Sequence, residues 1–395
     1  MRNERRDLPR RMLMGPGPSE VHPRVLGALA RPTLGHLDPA FVSLMDEIVR
    51  MLRYVFRTSN LLTFPVSAPG SAGMECCFVN LVEPGDKVVV CANGVFGLRM
   101  KENVERCGAT PVMVEDPWGS PVDPDKVRAA FRANPGATTL AFVHAETSTG
   151  VRSDAAALCA IAKEYGALSI VDAVTSLGGI EVNVDAWGAD AVYSGSQKCL
   201  SAPPGLSPVT FSESAAARVK ARKTKVQSWF LDLSLVMGYW GDGKGGGRTY
   251  HHTAPVNALY GLHEALAMLQ EEGLESAWAR HATAHRALVA GVEAMGLKMK
   301  VDAKVRLPQL NLVEIPEGVE DAAVRKRLLN EFNLEIGSGL GVWAGKVWRI
   351  GLLGQSAAPS YVLGCLTALE AVLHSVGAKI DTGRGYDAAQ AVFSG

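Results

Sequence analysis

Residues 138–172 read TTLAFVHAETSTGVRSDAAALCAIAKEYGALSIVD, and this stretch decides the fold. An apolar run, Thr138–Val143, is followed by a helical pattern over Ala155–Tyr165 and then by a second apolar run, Leu168–Val171. Runs this short, apolar throughout and set off by helix-length spacers, read as strands buried on both faces. The alternation continues outward. Upstream lie the β-rich run Val88–Cys91 and the helical patterns Met74–Leu81 and Asp123–Arg132; downstream lie Ala191–Tyr193 and Ser207–Phe211. Strands and helices in this order predict an α/β fold, a mostly parallel central sheet with helices on both faces. Such sheets bind ligands beyond the carboxyl ends of their strands. Asp172 and Lys198 both follow strand ends.

Beyond that frame, Phe41, Leu44, Met45, Ile48, Leu52 and Val55 recur at three and four, which predicts a helix from about Ala40 to Phe56. The stretch Gly241–Gly247 reads as an exposed loop and Val256–Glu272 as a long helix. After it come strand-like runs at Leu310–Ile315 and Val347–Leu353 and a helical one at Tyr361–Val376. The expected division is an arm over residues 1–15, a large domain over 16–270 and a small C-terminal α+β domain over 271–395. A length of 395 residues suits more than one domain.

Lys plus Arg and Asp plus Glu both number 40, so the charge balance favours neither nucleic acid nor an anionic membrane as partner. Seven cysteines, odd in number and without a CxxC pair, read as reduced thiols in a cytoplasmic protein. Met1–Arg11 is charged and lacks the apolar core of a secretory signal, and no run approaches a membrane span.

Several segments carry chemistry. In Tyr193-Ser-Gly-Ser-Gln197-Lys198-Cys-Leu-Ser-Ala-Pro-Pro-Gly205 one lysine stands between small residues after an apolar strand. Desolvation there favours the neutral amine, a nucleophile toward an aldehyde; taken singly, a loop lysine is more often just solvated. Asp172 closes an apolar run and can pair with a cofactor's pyridinium nitrogen, although an isolated Asp there is as readily a helix cap. Ser67-Ala-Pro-Gly70-Ser71-Ala-Gly73 opens a helix, where Gly70, the Ser71 hydroxyl and free N–H groups can hold a phosphate. Phe96 sits among turn residues and can stack on an aromatic ring or simply fill core. Arg349, inside the strand-like run Val347-Trp-Arg349-Ile-Gly351, must find an anion: a substrate carboxylate or a structural partner. Tyr250-His251-His252-Thr253 reads as a polar turn and not a zinc site. Gly238–Gly245 fits GxxxxGK but lacks the Ser or Thr and the strand of a P-loop, and Gly15-Pro-Gly17-Pro is too proline-rich for a dinucleotide turn.

Seven motifs stand in one order: Met14-Gly-Pro-Gly-Pro-Ser19, His144-Ala-Glu-Thr-Ser-Thr-Gly150, Val171-Asp-Ala-Val-Thr-Ser-Leu-Gly-Gly179, Ser194-Gly-Ser-Gln-Lys198, Ala202-Pro-Pro-Gly205, Tyr250-His-His-Thr253 and Trp348-Arg-Ile-Gly351. From about Gly15 to Leu373 the chain resembles the class V aminotransferases of fold type I, and within them the alanine–glyoxylate and serine–pyruvate group. The resemblance implies a pyridoxal 5'-phosphate enzyme that moves an amino group from a small amino acid to glyoxylate or a similar 2-oxo acid. It implies that Lys198 carries the cofactor and moves the substrate proton, that Asp172 holds the ring nitrogen, and that Phe96 stacks on the ring where relatives often have Trp. Thr147 and Val174 would lie beside the ring; Gly70, Ser71 and Gln197 would hold the phosphate. Gly15 and Arg349 would receive the substrate, Arg349 by its α-carboxylate. Tyr250 and Thr253 would reach the phosphate of a partner subunit, making a homodimer with shared sites. Pro69 departs from the hydroxyl residue common in relatives, and Ser71 stands where some have His.

Other chemistries stay open on these residues. The donor can be ureidoglycine, the pair can be pyridoxamine and pyruvate, or, more distantly, the substrate can be an aminoethylphosphonate. A cysteine desulfurase or other fold-type-I lyase, and a scaffold without cofactor, are the rivals from other classes.

Overall fold

In the computed structural model, residues 8–241 and 248–395 are described. Residues 1–7 of the expected arm and 242–247 of the glycine-rich stretch lie outside them. The central sheet has seven strands in the order Leu62–Val66, Ser207–Phe211, Ala191–Tyr193, Leu168–Asp172, Thr139–Val143, Lys87–Ala92 and Thr110–Glu115. Six run parallel; Ser207–Phe211 runs antiparallel to both its neighbours. All five residues of Thr139–Val143 are buried, as its unbroken apolar pattern demands of a strand covered on both faces.

The helices between strands are set by local chemistry. Asp154 accepts from Ala157 N at 3.0 Å and starts Ala155–Glu164. Asp38 caps Pro39–Phe56, with proline in its first turn, and Arg57 in the left-handed region ends it. Phe41, Met45, Ile48, Leu52 and Val55 all point inward from that helix, and each such side chain contributes about 1.5–3 kcal/mol of burial.

Three elements differ from the sequence reading. The sheet begins earlier, at Leu62, and carries an additional edge strand, Thr110–Glu115. Phe96 is the second residue of a helix, Val95–Arg106, and not part of an extended turn. That helix opens on Gly94, which offers no capping side chain, so its start is invisible locally.

The smaller C-terminal region has a three-stranded antiparallel sheet, Leu310–Glu314, Val347–Gly351 and Gly337–Ser338. Its own hydrophobic cluster takes in Trp348, Ile350, Leu366 and Leu369, and also Met14 from the N-terminal segment. Met12–Leu13 pairs with Leu334–Glu335, so this segment is a strap joined to the small sheet region. The hand-over between the two clusters falls inside the helix Leu274–Ala294: Leu274 and Ala277 belong to the first, Ala284 onward to the second. The C-terminal helix Gly385–Ser394 packs on this same helix, with Gly385 against Met295.

Candidate active site

The parallel strands all end on one side, and the site is built from the loops beyond those ends. Asp172 is the last residue of Leu168–Asp172 and only 3% exposed. Its Oδ1 accepts from Val174 N at 2.8 Å and its Oδ2 from the Tyr193 hydroxyl at 2.7 Å. The carboxyl is raised to about 6, because burial pushes it up by more than these two bonds pull it back.

Lys198 lies beyond the next strand, in a loop enclosed by the N-terminal strap. Ser19 N donates to Gln197 O at 2.9 Å and Ser19 Oγ to Lys198 O at 2.8 Å, which lays the Met14–Ser19 motif over the lysine. Lys198 Nζ donates to Pro16 O. Gly17 has φ +110°, and a Cβ there would come within 2.6 Å of Lys198 Nζ, so this position requires glycine twice over. Burial brings the Lys198 amine down to about 8, helped by the positive charge of Arg349 and opposed by Asp172. A neutral amine is thus available near neutral pH.

The helix Gly70–Leu81 points its first turn at this loop. A Cβ on Gly70 would stand 3.4 Å from both Ser194 O and Val174 Cγ2. Its N-cap, Pro69, has no side-chain acceptor, which leaves first-turn N–H groups for an anion. Ser71 is exposed, and Gln197 buries its Oε1 without a partner among the described residues.

Arg349 lies in the middle of Val347–Gly351 and is 7% exposed. Its Nε donates to Ser338 O at 2.6 Å and Nη1 to Thr147 O at 3.3 Å. Among the described residues no carboxylate lies within ion-pair reach, so the structural ion pair is not made. Burial brings the guanidinium down to about 10, with Glu146 pulling it up. A buried cation held by carbonyls alone still has charge to offer an anion. Gly15 lies beside it: Gly351 N donates to Met14 O at 2.7 Å, and Gly337 N is 3.8 Å from a Cβ at Gly15.

Phe96 is held from another strand end. Phe96 N donates to Glu146 Oε2 at 3.1 Å, and Val95 N donates to Ser148 Oγ at 2.9 Å. Ser148 in turn donates to Glu146 Oε1 through N and Oγ, at 3.0 and 2.6 Å. The helix that Gly94 leaves uncapped is therefore capped by Glu146 and Ser148. Gly94 must be small, because a Cβ would meet Glu146 Cδ at 2.5 Å.

The Aminotransferase class-V family matches residues 34–348. An (S)-ureidoglycine–glyoxylate transaminase of Bacillus subtilis is 40% identical, covering 98% of this chain and 97% of that one. An alanine–glyoxylate aminotransferase of Rattus norvegicus is 41% identical over 89% of this chain and 84% of its own. A solved alanine–glyoxylate aminotransferase of a Nostoc species is 46% identical, with a TM-score of 0.92 over 94% of this chain and 98% of that one. The chain is a class V aminotransferase.

This aminotransferase uses pyridoxal phosphate and has the fold of type I enzymes. Its residues fit that group: an amine of lowered basicity, a buried carboxylate at the end of the adjacent strand, and a helix start free of side-chain caps. The structure brings Gly15, Gly70, Thr147, Asp172, Val174, Gln197, Lys198 and Arg349 to one region, with Phe96 tied in through Glu146. It does not bring in Tyr250, which is 62% exposed against His36, or Thr253, also exposed. His251 is buried and stacks on Trp229, while His252 reaches Ser67 Oγ at 2.8 Å, so both rings pack against the protein instead of standing in a solvated turn.

Reading the sequence missed Tyr193, Glu146 and Ser148. Glu146 is fully buried, and burial pushes it up to about 7. The clue for Tyr193 was its register: it pairs with Asp172 across parallel strands, which places both side chains on one face. All seven cysteines are buried; Cys199 Sγ sits on Thr175 O and burial pushes its thiol up to about 12. A mobile nucleophilic cysteine, which desulfurase chemistry needs, is not among the described residues.

Proposed function

We propose that this aminotransferase moves an amino group from a small amino acid, alanine or serine, to glyoxylate or a similar 2-oxo acid, in two half-reactions. The observation that carries this is Arg349: a buried guanidinium whose partners among the described residues are two carbonyls, near enough to Lys198 for its charge to lower that amine. Its planar fork suits the carboxylate that amino acids and 2-oxo acids share. When bound, pyridoxal phosphate supplies the electron sink for the bond broken at the substrate's α-carbon. The chain does the rest. Arg349 orients the substrate by its carboxylate, Lys198 Nζ in its neutral form takes the α-proton, and Asp172 holds the positive ring nitrogen. Phe96, fixed by Glu146, would cover the ring, and the strap over Lys198 would limit water.

Ureidoglycine as donor is the second reading, favoured by the Bacillus subtilis relative and its near-complete coverage. A free-vitamin substrate such as pyridoxamine is less favoured, since Tyr250 and Thr253 suit tight anchoring of a resident phosphate. We further propose a homodimer in which these two residues, exposed on the single chain, complete the partner's phosphate site. Seven free, buried cysteines support a reducing, cytoplasmic setting.

A donor and acceptor screen tests the substrate assignment. Alanine, serine, ureidoglycine and pyridoxamine are each paired with glyoxylate and with pyruvate. Alanine or serine with glyoxylate should give the highest kcat/KM; a tenfold preference for ureidoglycine would replace the first reading by the second.

A further inference from the structure

Tyr193 has no exposure, and its hydroxyl makes one hydrogen bond among the described residues, to Asp172 Oδ2 at 2.7 Å. Pure filling of the core would be served as well by Phe. Gly73 lies against the base of this side chain, where a Cβ would stand 3.3 Å from Tyr193 Cβ. The backbone joins the same unit, because Ala173 N donates to Tyr193 O at 2.9 Å.

Each oxygen of the Asp172 carboxylate has two acceptor positions. Val174 N fills one on Oδ1 and the Tyr193 hydroxyl fills one on Oδ2. The rotamer is thereby locked, and one acceptor position on each oxygen is left for a third donor. Both donors stabilise the charged carboxylate over the neutral acid. We propose that Tyr193 is a positioning residue for amino transfer: its hydroxyl keeps Asp172 oriented and anionic so that the proton stays on the cofactor's ring nitrogen. This rests on Asp172 serving that nitrogen.

Loss of the hydroxyl makes Asp172 more basic and draws the proton from the ring toward the carboxylate. The ring would then withdraw electrons less well, and the imine linkage to Lys198 would become more basic. Tyr193→Phe is the test, read by the pH titration of the holoenzyme's visible absorption alongside steady-state kinetics. The titration midpoint should move upward and kcat should fall about 10- to 100-fold, the loss a charge-assisted hydrogen bond carries, with KM within about twofold. The apoenzyme's thermal midpoint guards against a folding defect. Tyrosine replaced at position 193 by 3-fluorotyrosine, a stronger donor, should move the titration the other way. An unmoved titration in both variants overturns the proposal. Asp172→Asn separates the two ideas: if it disturbs the titration while Tyr193→Phe does not, Tyr193 is merely structural; if Asp172→Asn also leaves it unmoved, the assignment of Asp172 itself is wrong.

Discussion

Replacing the central lysine should make the cofactor-free protein more stable. Burial brings the Lys198 amine from 10.5 in the open chain to about 8 in the fold. That difference corresponds to about 3 kcal/mol of penalty for holding the charged form. Lys198→Met keeps the length and removes the charge, but loses the bond to Pro16 O, worth about 1 kcal/mol. The net gain is about 2 kcal/mol. With an unfolding entropy of about 2.1 cal/mol/K per residue, a chain of 395 residues converts this into about 2 °C of thermal midpoint. Proton counting sets the sign with pH. Below pH 8 both folded and unfolded wild type carry the charge, and the penalty is complete. Between 8 and 10.5 the unfolded chain binds more protons, so wild-type stability rises with pH and the variant's advantage fades. Calorimetry of both apoenzymes from pH 6 to 10.5 measures it. An advantage that is absent at pH 7, or that grows toward pH 10.5, refutes the claim that this amine is held in a desolvating pocket.

Arg349→Ala should raise KM for amino acid and 2-oxo acid alike, about 10- to 100-fold, and Arg349→Lys less, since it keeps the charge without the fork; parallel kinetics with both substrates check this. Gly17→Ala forces a left-handed φ on a side chain and a Cβ toward Lys198 Nζ, a strain of about 1–3 kcal/mol, and should cut activity at least tenfold while circular dichroism stays native. Gly94→Ala should displace Glu146 and loosen Phe96, which weaker retention of the cofactor on dialysis would reveal. Reconstitution of the apoenzyme with pyridoxal phosphate should accelerate as pH rises through about 8, because only the neutral Lys198 amine attacks the aldehyde; stopped-flow absorbance reads the rate.

The sheet was legible because its central strands, such as Thr139–Val143 and Leu168–Asp172, are apolar throughout and separated by helices with their own caps. The edge strand Thr110–Glu115 escaped because only one of its six residues is buried and it carries Pro111. The start of Val95–Arg106 escaped for a different reason: its cap comes from Glu146 and Ser148, some fifty residues away, and no local pattern encodes that. At the site, Lys198, Asp172 and Arg349 were readable as polar residues set in apolar surroundings. Tyr193 and Glu146 were not, since a buried Tyr and a loop Glu look ordinary until their partners are seen. The strap is the other long-range feature, because Pro16 meets Lys198 only after the chain has closed on itself.

The central claim is that Lys198, Asp172 and Arg349 together perform amino transfer. A single half-reaction tests it most directly: holoenzyme is mixed with excess L-alanine, no acceptor is added, and pyruvate is counted. One pyruvate should form for each Lys198, with a full loss of the visible cofactor band and its return on adding glyoxylate. No keto acid from alanine or serine, or a continuous release of product without any acceptor, would contradict it.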